Sequence, residues 1–212
     1  MKKKRSVVQS IRSKRVAPEG QCWHNGGDVE LHLYARALRR AVKTLIVNLD
    51  LKPNPVSGWD AAPIILLYRQ ATELQLKELV GEGSSLLQNP TDPLTLYKTH
   101  SLRWLAQIVC QIIKAAGWDA KFTCEGVADL AAFSDLIGEL EAADPVVNAV
   151  MSIDRRRDGL VPPFLLPPNV VQFSTRMDAV LDLLEATTDA LAALEAAEAS
   201  EAGGFGSPSV IQ

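Results

Sequence analysis

Three charged residues stand in one row on an otherwise apolar stretch of this chain: Arg69, Glu73 and Lys77, at i, i+4 and i+8. Two cations flanking a carboxylate can hold a phosphate-like anion, with the carboxylate orienting both. The same spacing also builds a self-satisfied ladder, worth about 0.2–0.5 kcal/mol per pair on an exposed helix face. His100 adds an imidazole. With Arg69 and Glu73 it could form a composite acid–base and phosphate site; the plainer alternative is a polar residue in a turn before a helix. Further anion- or nucleic-acid-binding candidates are the row Arg36, Arg39, Arg40 and Lys43, together with Arg103 and the run Arg155, Arg156, Arg157. Such residues grip phosphates without reading bases. The row at 36–43 could equally meet the acidic row Asp178, Asp182, Glu185 and Asp189, within the chain or across a dimer. The arginine run is partly balanced by Asp154 and Asp158. No metal and no cofactor is expected. The cysteines Cys22, Cys110 and Cys124 have no CxxC spacing, and Cys22 with His24 alone is a weak ligand pair. His32 reads as a helix-surface residue. No phosphate-binding loop, dinucleotide fingerprint, nucleophile elbow or HExxH motif occurs.

These residues sit in a chain of 212 residues, long enough for one domain with a sizeable core. The net charge of -3 excludes a generic polyanion binder, so any nucleic-acid contact must be local. Charge is unevenly spread. Lys2, Lys3, Lys4, Arg5, Arg12, Lys14 and Arg15 make a basic start without an acid, whereas no basic residue follows Arg176. Both ends are possible interaction features or simply solvated termini. Arg12, Lys14 and Arg15 interrupt any apolar core of a secretory signal, and no run approaches the ~20 apolar residues that span a bilayer. A cytoplasmic protein without a membrane segment is the expectation, and the odd cysteine number fits a reducing compartment.

Five helices are needed to position the candidates. Asp28 is a good N-cap for the first, which carries Leu31, Tyr34, Leu38, Ala41, Val42, Leu45 and Leu49 as its inward stripe. The second runs from about 60 to 80, with Asp60 as N-cap and Gly81 as stop. It is apolar over most of its circumference, which marks a central, buried helix. A loop over 82–98 leads to a third helix starting near Thr99 or Ser101, with Leu102, Leu105, Ile108, Val109, Ile112 and Ile113 inward. A fourth spans about 124–142, with Val127, Leu130, Ala131, Leu136, Ile137 and Leu140 inward. A long Pro-rich connection, 144–168, carries the arginine run. The fifth, about 169–197, has Val170, Phe173, Met177, Val180, Leu181, Leu184 and Leu191 as its seam. The expected architecture is an all-α bundle over 28–200, between a flexible basic arm, 1–27, and a disordered tail, 201–212.

The stretch from Trp59 to Val80, WDAAPIILLYRQATELQLKELV, resembles the signature of HEPN-like proteins. That signature orders a tryptophan, a proline, an apolar run, an arginine and then E-L-x-L-K: here Trp59, Pro63, Arg69, Glu73, Leu74, Leu76 and Lys77. His100, Ser101 and Leu102 match the family's H-x-L turn at the next helix. The similarity extends more weakly through the arginine loop at Ile153–Gly159 and the last helix. It implies a HEPN-like helical bundle, often dimeric, of prokaryotic defence and toxin–antitoxin settings. Many members are metal-independent ribonucleases whose mark is an arginine preceding a histidine by four to six intervening residues. Here none of His24, His32 and His100 has an arginine so placed; positions 17–19, 25–27 and 93–95 hold Ala-Pro-Glu, Asn-Gly-Gly and Pro-Leu-Thr. The expectation is therefore a non-catalytic member that binds RNA, a nucleotide-like anion or a partner protein, as a homodimer or hetero-complex. The alternatives are a divergent ribonuclease using Arg69, Glu73 and His100, and a purely structural dimerisation module.

Overall fold

The computed structural model describes residues 31–50, 58–143 and 169–203, which all fall in one unit, Leu31–Gln212. The described residues form α-helices and connections, without a strand. The helices are α1, Leu31–Asp50; α2, Gly58–Gly83; α3, Pro93–Lys98; α4, Leu102–Ala115; α5, Leu130–Ala142; and α6, Val170–Gly203. The all-α expectation holds.

The central place of α2 follows from its composition. Ile64, Ile65, Tyr68, Ala71, Leu76, Leu79 and Val80 are all buried, on several sides of the helix. Such a helix needs neighbours around most of its circumference. It meets α1, α4 and α6. α1 runs antiparallel to α2, since His32 near its start meets Glu78 near the end of α2. α6 runs parallel to it: the Tyr68 hydroxyl donates to the Ser174 carbonyl, 3.2 Å, and Tyr68 stacks edge-on against Phe173 with ring centroids 5.8 Å apart. Fifteen residues further along α2, a Cβ on Gly83 would lie 2.5 Å from Ile112 Cγ2 of α4 and 3.2 Å from Leu191 Cδ1 of α6. Only glycine admits that approach. α5 packs mainly on α4, antiparallel to it, with Glu141 at Leu102 and Ser134 at Cys110, and also touches α2.

The differences from the sequence reading are local and physical. On α1 the buried line is Leu31, Ala35 and Val42, flanked by Leu38, Leu45, Ile46 and Leu49; Tyr34 and Ala41, expected inside, are exposed. α2 begins at Gly58, so Asp60 is inside its first turn rather than at the N-cap, and it continues past Gly81 to Gly83. The stretch expected to be a loop contains a 3₁₀ turn, Ser84–Leu86, and α3. Asp92 caps α3, its carboxylate accepting from the Thr95 amide at 2.9 Å, with Pro93 in the first turn. The fourth expected helix starts six residues late. Gly126, at φ +79°, and the paired amides and carbonyls of Cys124 and Val127 form a tight turn there, and Asp129 caps α5 at the Ala132 amide. In consequence Ala131 faces solvent, and Phe133, packed edge-on against Phe122 at 5.1 Å, holds the inward position. α4 and its buried stripe are as expected, with Ser101 as N-cap. α6 runs on through 201–203, where the disordered tail was expected to begin; the rest of that tail, 204–212, the arm at 1–27 and the connection at 144–168 lie outside the described residues.

Candidate functional site

The row on α2 faces the connection between α3 and α4. Glu73 is the hub, with its side chain only 3% exposed. Lys77 Nζ donates to its Oε1 at 2.8 Å, the Nδ1 edge of His100 meets the same oxygen at 2.8 Å, and Arg69 Nη1 reaches Oε2 at 3.4 Å. Burial by itself would push the Glu73 carboxyl up. The hydrogen bonds and charges of Lys77 and His100 outweigh it and hold the group below its ordinary range.

The cations also grip the connection itself. Lys77, only 6% exposed, donates to the Tyr97 carbonyl at 3.1 Å, one residue before the end of α3. Arg69 Nη2 donates to the His100 carbonyl, also at 3.1 Å. The row therefore clamps residues 97–100 onto the central helix. Lys77 is committed to this clamp, whereas the His100 side chain is 71% exposed. With Glu73 on Nδ1, the other ring nitrogen, Nε2, is turned to solvent. Arg69, Glu73, Lys77 and His100 are thus brought together by the fold, although 31 positions separate Arg69 from His100.

The basic row of α1 meets the acidic row of α6. Arg36 pairs with Glu185. Arg39 bonds Asp178 and reaches Asp182 Oδ2 at 2.9 Å, while Lys43 lies 3.8 Å from Asp178. The hydrogen bonds that Arg39 donates to Asp182 raise its guanidinium against the cost of burial, and in return Arg39 lowers the Asp182 carboxyl. Arg36, Arg39, Arg40, Lys43, Asp182 and Glu185 line an open depression of about 630 Å³. Asp178, Asp182 and Glu185 pair with three of the four bases, Asp189 also acts on Arg36, and Arg40 makes no ion pair with a described residue. Of the two roles open to this row, the structure brings out the intramolecular one.

Arg103 lies apart from both groups. It sits beside Glu141 at 3.5 Å and over Gly138, while Glu141 also accepts from the Leu102 amide at the start of α4, 3.0 Å. Arg155, Arg156, Arg157 and His24 lie outside the described residues. His32, expected as a plain surface residue, makes a polar contact across α1 and α2, its Nδ1 lying 2.7 Å from Glu78 Oε1. Their separation of 46 positions leaves no local signal that could have paired them. Glu78 Oε2, Thr72 Oγ1 and Gln75 Nε2 are buried without a hydrogen-bond partner. Among the described residues no group of three or more His, Cys, Asp or Glu could hold a metal, and no helix is long and apolar enough to cross a membrane.

No family model matches the chain, and no curated protein or solved structure matches it either. The class that the coordinates define is an all-α bundle with a charged clamp on its central helix.

Proposed function

We propose that this chain is a HEPN-like helical-bundle protein, of a prokaryotic defence or toxin–antitoxin kind, that binds RNA or a nucleotide-like anion without cleaving it. The observation that carries the reading is the setting of His100. It is the exposed member of the α2 cluster, its ring is fixed by Glu73 at 2.8 Å, and its backbone is held by Arg69 at 3.1 Å. An imidazole oriented this way offers a phosphate a hydrogen-bonding group whose position costs no further ordering on binding. Arg69 supports it from behind. Lys77 strengthens the clamp rather than the contact, being turned inward to Glu73 and Tyr97. The basic row of α1 contributes little, because α6 already answers most of its charge.

Binding is preferred to catalysis on chemical grounds. Metal-free RNA cleavage moves two protons, one from the 2′-hydroxyl and one to the leaving oxygen. His100 is the exposed acid–base group here, and Glu73, buried and shared among three donors, is no candidate for the second transfer. The ribonuclease reading keeps one point in its favour: a carboxylate on Nδ1 is also how a general-base imidazole is held in one tautomer.

The test is direct. Fluorescence anisotropy with a labelled single-stranded oligoribonucleotide, and in parallel with ATP, should detect salt-sensitive binding. His100→Gln should weaken it roughly tenfold, the equivalent of one hydrogen bond of about 1.4 kcal/mol. Absence of binding to either probe refutes the proposal. Metal-free cleavage of the oligonucleotide, lost in His100→Gln, would establish the ribonuclease instead.

A further inference from the structure

α1 presents solvent with a face that a helix normally hides. Leu33 is 46% exposed, Tyr34 62% and Val47 60%. Ala37, Ala41 and Thr44, between them on the same side of the helix, are exposed as well. A continuous strip of this kind is where partners dock. Along its edge runs the depression lined by Arg36, Arg39, Arg40 and Lys43, where bases outnumber acids and Arg40 is unmatched by a described acid. The occupant must therefore combine an apolar, close-fitting surface with negative charge.

The end of α6 has that chemistry. No basic residue follows Arg176. Past Leu191, its last fully buried residue, Ala192, Ala193, Glu195, Ala196, Ala197 and Ser200 are all exposed and cover more than half of the helix. Ser85 ties the root of this segment to the bundle through Glu195, 2.6 Å. Within one chain Arg40 and Lys43 are out of reach of Glu195. Asp182 lies level with Arg39, and Glu195 is 13 positions further on, about 20 Å along the helix axis.

We infer that the exposed face of α1 docks the acidic, alanine-rich end of α6 from a second copy of this chain. The alanine surface lets Leu33, Tyr34 and Val47 approach closely, and Glu195 answers Arg40, with Lys43 beside it. The contact joins two different surfaces, so a pair still has one α1 face and one α6 end free, and association continues into a ring or an open chain. Being partly ionic at an exposed rim, it weakens with salt. None of this involves the clamp on α2 or any RNA, so it stands or falls separately from the proposed function.

Sedimentation velocity of the full chain over a range of concentrations tests it. The mass of the wild type should rise with concentration and fall in high salt. Arg40→Glu with Lys43→Glu, and separately Ala192→Lys with Glu195→Lys, should each stay monomeric. Mixing the two variants should restore association, because each then offers the other an oppositely charged face. Ala37→Asp, away from the ion pairs with α6, is a second α1 variant that should also be monomeric, with folding checked by circular dichroism. A wild type that is monomeric throughout overturns the inference. So does association that survives these changes, or that is lost on changing α1 but not the end of α6.

Discussion

Replacing Glu73 tests the central clamp most sharply. Glu73 is 3% exposed and accepts from Lys77 and His100, both at 2.8 Å, with Arg69 at 3.4 Å. Glu73→Gln keeps the shape and one acceptor oxygen. It takes the carboxylate charge out of the hydrogen bonds from Lys77 and His100, at about 1 kcal/mol each, so a loss of about 2 kcal/mol is expected. Glu73→Leu removes the acceptor entirely and leaves the Lys77 ammonium, 6% exposed, without its carboxylate, which costs about 3–5 kcal/mol. Lys77→Met in the Glu73→Leu background should recover a large part of that loss, since an apolar pair of similar volume replaces a buried ion pair at little cost. Urea unfolding followed by circular dichroism, with Lys77→Met alone as the remaining corner of the cycle, gives the free energies and the coupling of Glu73 with Lys77. The pH dependence has a fixed sign. Because the Glu73 carboxyl is more acidic in the folded chain than its ordinary 4.5, its contribution is fully present above that value and is lost as pH falls below it. The Glu73→Gln variant should lack this part of the acid-side decline. A Glu73→Gln chain within about 0.5 kcal/mol of wild type would refute the reasoning, because that is what an exposed ladder yields.

Three further outcomes are expected. Gly83→Ala should destabilise by about 1–3 kcal/mol in a thermal melt, since its methyl meets Ile112 at 2.5 Å and the overlap outweighs the gain in helix propensity. Thr72→Val should be neutral or stabilising by up to about 2 kcal/mol in urea unfolding, because the hydroxyl it removes is buried without a partner. Arg39→Ala should cost about 1.5–3 kcal/mol, since it strips Asp178 and Asp182 of their shared guanidinium, and acid titration of unfolding should then lose the part that Asp182 contributes as pH falls.

The course of the chain was legible wherever periodicity was strong. α4 is an example: Leu102 through Ile113 and the Ser101 cap are as the spacing predicts. The central position of α2 was legible too, from apolar residues on nearly every side. Boundaries were misread where turn chemistry competes with periodicity, as at Gly126, whose positive φ delays the start of the expected helix, and at Asp92-Pro93, a cap and first-turn pair that starts a short one. The inward face of α1 was misread for another reason. Tyr34 and Ala41 keep helical spacing with Leu31 and Leu38, and only the position of α2 decides that Ala35 turns inward instead, beside Val42, which was expected there. At the site, Arg69–Glu73–Lys77 is a local pattern and could be read directly. The contact of His100 with Glu73 crosses 27 positions, and the carbonyls of Tyr97 and His100 carry no sequence signal at all, because every residue has one.

That last point bears on how freely the connection between α3 and α4 can vary. Lys77 and Arg69 hold it by main-chain oxygens, which survive any substitution. The path of the backbone there is set by α2 and is largely insulated from the letters written on positions 97–100. Such a segment tolerates mutation well: its side chains can be exchanged, for a different ligand or for none, while the place from which they are displayed stays put.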